Sequence, residues 1–261
     1  MNMIIISFFA GVIGMGLGAL VSAIFGTKSD KMTSIFLSFA GGVMISVVFI
    51  ELLRESIELS NMMVAIAGLV AGALLVLVLN NIMDRLSSKR DGSKLHENFA
   101  EFFHSNDVIT RKSGMLRSGM IMLFAIGLHN IPEGLAMGAA GQHHDVRFAI
   151  ALALIIALHN IPEGMAVSVP LMVGGLSKIK SVLITSAAGA TTILGAIIGV
   201  IIGGISETAI AISFSIAGGA MLYVVIGEML PQAIVMSKDR IPTFFTFLGI
   251  IVGMLFIQFA H

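Results

Sequence analysis

Leu128-His129-Asn130-Ile131-Pro132-Glu133-Gly134 is repeated 30 residues later as Leu158-His159-Asn160-Ile161-Pro162-Glu163-Gly164. Apolar sequence flanks both copies of this motif. Each copy therefore places an imidazole, an amide and a carboxylate inside a hydrophobic run, where such groups are costly. The duplication predicts that two helices meet around one polar centre, and that the rest of the chain is arranged around it.

Composition indicates an all-α polytopic membrane protein. The chain is 57% hydrophobic and 11% charged, whereas soluble domains carry about 25% charged residues. Several uncharged stretches exceed the roughly 20 residues that cross a bilayer, which excludes a soluble helical protein. A formal net charge of zero argues against nucleic acid as a partner. The absence of cysteine excludes disulfides and thiolate metal ligands.

The hydropathy pattern predicts eight transmembrane helices in a single domain covering residues 1–261. The first is read as a retained helix, because no basic residue precedes its apolar run. A polar loop at 84–117 separates the third helix from the fourth. The predicted helices cover residues 3–25, 32–53, 62–83, 118–140, 148–173, 182–204, 209–236 and 242–260.

Basic residues predict the orientation of these helices. With the N-terminus outside, 13 of the 15 lysines and arginines fall in cytoplasmic connections, and only Arg54 and Arg147 fall outside. The positive-inside rule favours this arrangement. Both termini are then extracytoplasmic, and the loop 84–117 is cytoplasmic.

A second repeat predicts inverted symmetry. Gly41-Gly42-Val43-Met44 precedes Glu51, and Gly218-Gly219-Ala220-Met221 precedes Glu228, with seven residues from methionine to glutamate in both. The two segments lie on helices of opposite direction, as do the two motifs. This pattern is typical of inverted-repeat transporters, with the site near the membrane midplane. We expect a 3+2+3 arrangement. A solenoid array would need at least three copies of the motif.

Helical spacing brings the polar groups of each motif onto one face. Histidine and glutamate are four residues apart, and asparagine is three residues before the glutamate. Imidazole and carboxylate ligands suit Zn²⁺ and also Fe²⁺ or Mn²⁺. The candidate ligands are His129, Asn130, Glu133, His159, Asn160 and Glu163.

Three other interpretations of the motif compete with a transport site. A hydrogen-bonded clamp between helices explains the asparagines but not two costly carboxylates. A membrane metalloenzyme could use the same His/Glu cluster, although the His-Glu-x-x-His pattern of zinc proteases is absent. A sensor or scaffold that binds metal without flux remains a third possibility.

At these residues the sequence resembles the ZIP family of divalent metal transporters, particularly its short bacterial members. The resemblance rests on His-Asn-Ile-Pro-Glu-Gly at 129–134 and 159–164, and the eight-helix layout extends it to the whole chain. It implies uptake of zinc, iron, manganese or cadmium across the plasma (inner) membrane into the cytoplasm, with the metal as substrate and no cofactor. Glycine-rich helix faces are compatible with a homodimer.

The resemblance also implies how the ligands divide between two sites. The first comprises His129, Glu133, His159 and Glu163, with Met44 nearby. The second comprises Asn130 and Asn160, bridged to the first by the two glutamates. Many relatives add a glutamate from the sixth helix, where this chain has Thr192. We therefore expect the second site to be weaker, differently occupied or unused.

Several polar residues lie apart from the motifs. Glu51 and Glu228 could be symmetry-related carboxylates along the access and exit paths, although Glu51 is favoured as an interfacial charge. Met44 and Met221 are candidate soft ligands, with packing as the default. His143 and His144 could collect metal at the outer turn between the motif helices, where a solvated turn is the favoured reading.

Overall fold

The structure, a computed structural model, describes residues 3–26, 29–91, 108–143, 146–202, 206–237 and 239–260. Within these ranges every regular element is helical. Eight segments are long and apolar enough to cross a membrane, so the chain is an integral membrane protein of the predicted all-α class. We label them in chain order. They are α1 (3–26), α2 (30–59), α3 (Met62–Asp91), α4 (Val108–His143), α5 (Val146–Val173), α6 (178–202), α7 (207–237) and α8 (Ile241–Ala260).

Short polar residues begin several of these helices. Ser29, Ser177 and Ser206 each accept a hydrogen bond from a backbone N–H three residues later. Asn61 does the same before α3, and the Asp239 carboxylate accepts from the Ile241 N–H at 2.9 Å before α8. These side chains satisfy amide groups that a helix start leaves without an internal partner.

The predicted polar loop at 84–117 is too long, because α3 continues to Asp91 and α4 already begins at Val108. Hydropathy shows where a span leaves the membrane, whereas a helix ends only where its backbone pattern is broken. Neither 84–91 nor 108–117 contains a proline, so both helices extend into polar sequence. The sixth helix differs too. It comprises Lys178–Ala188 and Thr191–Ile202, joined by a turn at Gly189 and Ala190.

Three of the helices contain π-helical turns. In α1 these are Phe9–Ile13 and Ser22–Gly26. In α2 and α7 they are Val48–Leu52 and Val225–Met229. The last two segments each carry a glutamate, Glu51 or Glu228, at the fourth position. A π turn inserts an extra residue into a helix and frequently occurs at functional sites.

Glycines bring five pairs of helices into backbone contact. A Cβ on any of these glycines would collide with a carbonyl oxygen of the partner helix, which is the close packing that small residues permit in membranes. Each pair uses one glycine from each helix. The pairs are α1–α5 (Gly18, Gly164), α4–α6 (Gly134, Gly195), α2–α8 (Gly42, Gly249), α3–α7 (Gly72, Gly219) and α1–α6 (Gly11, Gly189).

Polar and apolar side chains are distributed as a membrane environment requires. Large apolar side chains such as Met63, Ile179 and Ile201 are more than 70% exposed on the surface. Carboxylates and amides of the middle helices are buried instead, among them Glu163 and Asn160 at 0% exposure. The polar centre therefore lies inside the bundle, and the apolar surface faces lipid.

Candidate metal centre

Helices α4 and α5 carry the two motifs, and both remain helical through Pro132 and Pro162. Each motif's final glycine fixes the helix against a neighbour. Gly134 packs on the Thr192 carbonyl of α6, and Gly164 packs on the Met15 carbonyl of α1. The centre is thus held at the place where α1, α4, α5 and α6 come together.

Three buried side chains form a cluster with the spacing of a metal site. The Nε2 atom of His129 lies 2.7 Å from Oε1 of Glu133, one helical turn later on α4. The same nitrogen lies 3.4 Å from Oε1 of Glu163 on α5. All three residues are at most 2% exposed. The glutamates of the two motifs therefore converge on a single histidine.

This arrangement suits a small divalent cation. One ligand atom from each residue lies within 4.8 Å of the other two, whereas tetrahedral ligands at about 2.0–2.2 Å from zinc would be roughly 3.4 Å apart. The two Nε2–Oε1 distances, 2.7 and 3.4 Å, are already at or below that separation, so small side-chain adjustments would complete such a geometry. Two carboxylates also bring the negative charge that a dication needs in a low-dielectric interior.

The asparagines flank this cluster, and neighbouring helices orient their amide groups. The Nδ2 group of Asn130 donates to the Met15 thioether at 3.3 Å and approaches the Ala188 carbonyl of α6 at 3.5 Å. That of Asn160 donates to the Ala10 carbonyl of α1 at 3.0 Å. Both amide oxygens are buried and accept no hydrogen bond within the described part of the chain, so both are available as oxygen ligands.

The remaining predicted ligands, His159, Met44 and Thr192, are not part of the described cluster. His159 lies on α5 four residues before Glu163, but its side chain is outside the described part of the structure. Met44 is 1% exposed and belongs to the main apolar cluster with Met15 and Met221. Thr192 is fully buried on α6, where its hydroxyl faces Gly11 of α1.

Glu228 is buried in a polar network formed by side chains of α3, α4 and α7. Its carboxylate is 2% exposed and accepts hydrogen bonds from Ser118 Oγ at 2.7 Å and Asn80 Nδ2 at 3.4 Å. Gln232, one turn later on α7, donates to Ser118. Three helices thus converge on a carboxylate away from the His129 cluster.

Glu51 is not the exposed interfacial charge that its position near a helix end favoured. It is 9% exposed and lines a small recess with Val43, Val47 and residues of α8. Leu158, which directly precedes His159, lines the same recess. The π turn in α2 therefore carries a buried carboxylate next to the second motif.

The outer-turn histidines contribute nothing to the described geometry. His143 ends α4, and its side chain is outside the described part. His144 lies outside the described residues altogether.

Sequence reasoning missed the groups that orient the asparagines and Glu228. The Ala10 and Ala188 carbonyls have no side-chain signal, since any residue supplies a carbonyl. Ser118 and Gln232 gave no periodic pattern. The one usable sign was the Gly14/Gly18 pair, which marks the face of α1 that contacts Ala157, Asn160 and Ile161.

Comparison with known proteins agrees with the chemistry of the centre. A family model described as ZIP zinc transporter matches residues 87–260, more than half of the chain. The zinc transporter ZupT of Chlorobium chlorochromatii is 29% identical over 262 residues, covering 95% of this chain and 92% of that protein. ZupT of Corynebacterium glutamicum is 29% identical, with 95% and 94% covered. ZupT of Streptococcus mutans is 30% identical, with 92% and 89% covered.

Proposed function

The chain belongs to the ZIP family of zinc transporters, and we propose that it carries Zn²⁺ across the plasma membrane into the cytoplasm through the His129, Glu133 and Glu163 cluster. Members of this family are transporters and not enzymes. The metal is therefore the substrate, and the interpretation as a metalloenzyme is rejected. The observation that carries the proposal is the convergence of two motif glutamates on one buried histidine.

The ligand chemistry supports zinc as the main substrate. One imidazole and two carboxylates form a set that zinc accepts readily, with a further position open to a transported ion. Iron, manganese and cadmium are accepted by similar donors. We include His159, from its position in the second motif, as a fourth ligand, and Met44 as a soft contact.

Inverted symmetry supports alternating access to this site. Exchanging α1 with α6, α2 with α7, α3 with α8 and α4 with α5 converts the pair α4–α6 into α5–α1. The same exchange converts α2–α8 into α7–α3. These four close glycine contacts therefore map onto one another, and the α1–α6 contact maps onto itself, as expected for a 3+2+3 arrangement.

Glu51 and Glu228 are proposed as matched carboxylates on either side of the centre. Both occupy the fourth position of a π-helical turn on symmetry-related helices. Glu51 serves the outer path and Glu228 the inner one. We expect Glu51→Gln and Glu228→Gln each to lower the maximal uptake rate several-fold, whereas rates equal to wild type for both would contradict this role.

Reconstituted uptake tests the central proposal. Purified protein in liposomes that contain a zinc-sensitive dye should accumulate zinc, and His129→Ala or Glu163→Ala should reduce the rate about 10-fold or more because each removes a ligand. Glu58→Gln is the matched control, since Glu58 is an exposed carboxylate at the end of α2. Undiminished uptake by both ligand variants would refute the assignment of the site.

A further inference from the structure

Buried hydroxyl groups separate into two classes in this protein. Ten described buried serines and threonines bond to a backbone carbonyl or a polar side chain. Three others, Ser181, Thr185 and Thr192, are 0% exposed, and their hydroxyls have no hydrogen-bond partner among the described residues. All three lie on α6.

The three hydroxyls form a row along α6 that crosses the break in this helix. Ser181 and Thr185 are four residues apart within Lys178–Ala188, which brings their side chains within about 40° of one another around the axis. Thr192 lies beyond the turn at Gly189 and Ala190, in the segment Thr191–Ile202. One end of this row lies near Lys178 and Lys180, and the other lies beside Gly11 at the metal centre.

The row connects to the asparagine side of the metal centre. Ala188, which lies between Thr185 and Thr192 on α6, presents its carbonyl to the Nδ2 group of Asn130. The amide oxygens of Asn130 and Asn160 are likewise buried and have no hydrogen-bond partner among the described residues. Five such polar atoms therefore lie on α6 and on the two motif asparagines.

Serine and threonine in membrane helices ordinarily bond to the carbonyl four residues earlier, as Ser22 and Ser215 do here. Each buried polar group left unpaired costs about 1–3 kcal/mol, so a dry row of this kind would be strongly unfavourable. Buried water that bonds to several polar groups removes the cost.

We propose that Ser181, Thr185 and Thr192 line a buried water track that joins the asparagine side of the metal centre to the lysine-bearing end of α6. The inference rests on the proposed transport function, because it assigns the track the task of hydrating an ion that leaves the centre. Water bound to the hydroxyls replaces protein ligands as the ion departs.

Radical labelling tests for the water directly. The chain contains no cysteine, so Ser181→Cys, Thr185→Cys and Ser215→Cys each introduce a single thiol. Radiolysis of water generates hydroxyl radicals in place, and we expect the thiols at 181 and 185 to be oxidised several-fold faster than the thiol at 215. Equal rates at all three positions would show that the row is dry and would overturn the proposal. Two positions are used so that one poorly folded variant does not decide the result.

A transport measurement separates this inference from the function on which it rests. Ser181→Ala combined with Thr185→Val keeps the shape of the row but removes two hydroxyls, and we expect uptake to fall several-fold with zinc affinity unchanged. Ser215→Ala with Thr246→Val is the control, because both hydroxyls bond to their own helices. Unchanged uptake in the row variant would refute the track, whereas an inactive wild type would refute the transport function alone.

Discussion

At the scale of single residues, the sequence identified the polar residues of the motifs but not the groups from other helices that contact them. The spacing of His129 and Glu133 required a shared helix face, and the structure confirms it with a 2.7 Å contact. The contact between Glu163 and His129 depends on how two separate helices pack, which local spacing does not determine. The same holds for Asn130, whose amide meets a methionine and a carbonyl from two other helices.

Thr192 offers a test of the second metal site. Its fully buried hydroxyl lies where the family resemblance leads us to expect a glutamate, and the amide oxygens of Asn130 and Asn160 carry no charge. We expect Thr192→Glu to raise the zinc bound per protein, because an added carboxylate favours a second dication. Elemental analysis of protein equilibrated with zinc measures the stoichiometry. Thr192→Gln controls for size, and an unchanged ratio in the glutamate variant would argue against the assignment.

The backbone conformation of Gly175 leads to a prediction about the stability of the protein and not about transport. It is the described glycine with positive φ, at 104°, in the turn where the Leu176 N–H donates to the Leu171 carbonyl at the end of α5. We expect Gly175→Ala to cost about 1 kcal/mol of stability through backbone strain. A Cβ there would meet no atom, so the melting temperature reports strain alone.

Gly127→Ala is the matched comparison for Gly175. Gly127 lies within α4, where a Cβ would make only an ordinary contact with Thr191. Alanine in a helix interior is favoured over glycine by about 0.5–1 kcal/mol, so the two variants should shift the melting temperature in opposite directions. A stabilising effect of Gly175→Ala would contradict the assigned turn.

At the scale of helices, hydropathy determined their number, and packing determined their details. All eight predicted helices are present, because each needs only an apolar run of sufficient length. The end of α3 was predicted too early and the start of α4 too late, because a helix can continue through polar residues after it has left the membrane. The π turns at Val48–Leu52 and Val225–Met229 had no local signal, because such turns are stabilised by tertiary contacts.

Glycine contacts at the motif helices give a prediction at this scale. A Cβ on Gly134 or Gly164 would collide with backbone of α6 or α1, and backbone atoms cannot move aside as a flexible side chain would. We expect Gly134→Ala and Gly164→Ala to lower the melting temperature and the yield of folded protein in detergent. Gly127→Ala, also in α4, should do neither. Wild-type stability in both motif variants would contradict the close packing on which the site geometry depends.

At the scale of the whole molecule, the second sequence repeat can be compared with the contacts between helices. The Gly-Gly-x-Met segments of α2 and α7 each place a glycine against a neighbouring helix, Gly42 on α8 and Gly219 on α3. The seven-residue interval to Glu51 and Glu228 then ends in a π turn in both helices. The repeat in sequence thus corresponds to a repeat in packing and in backbone irregularity, as the proposed 3+2+3 arrangement requires.

The orientation that we propose for the molecule in the membrane rests on the distribution of basic residues and is open to direct test. Basic residues concentrate at the helix ends that we assign to the cytoplasmic side, which include Lys178 and Lys180 at the start of α6. Glu58 lies at the end of α2, which we assign to the outer side. Because the chain lacks cysteine, Glu58→Cys and Lys180→Cys each introduce one thiol at an exposed position. An impermeant maleimide added to intact cells should label Glu58→Cys, and it should label Lys180→Cys only after the cells are permeabilised. The reverse pattern would invert the proposed topology, and with it the assignment of Glu51 to the outer path and Glu228 to the inner one.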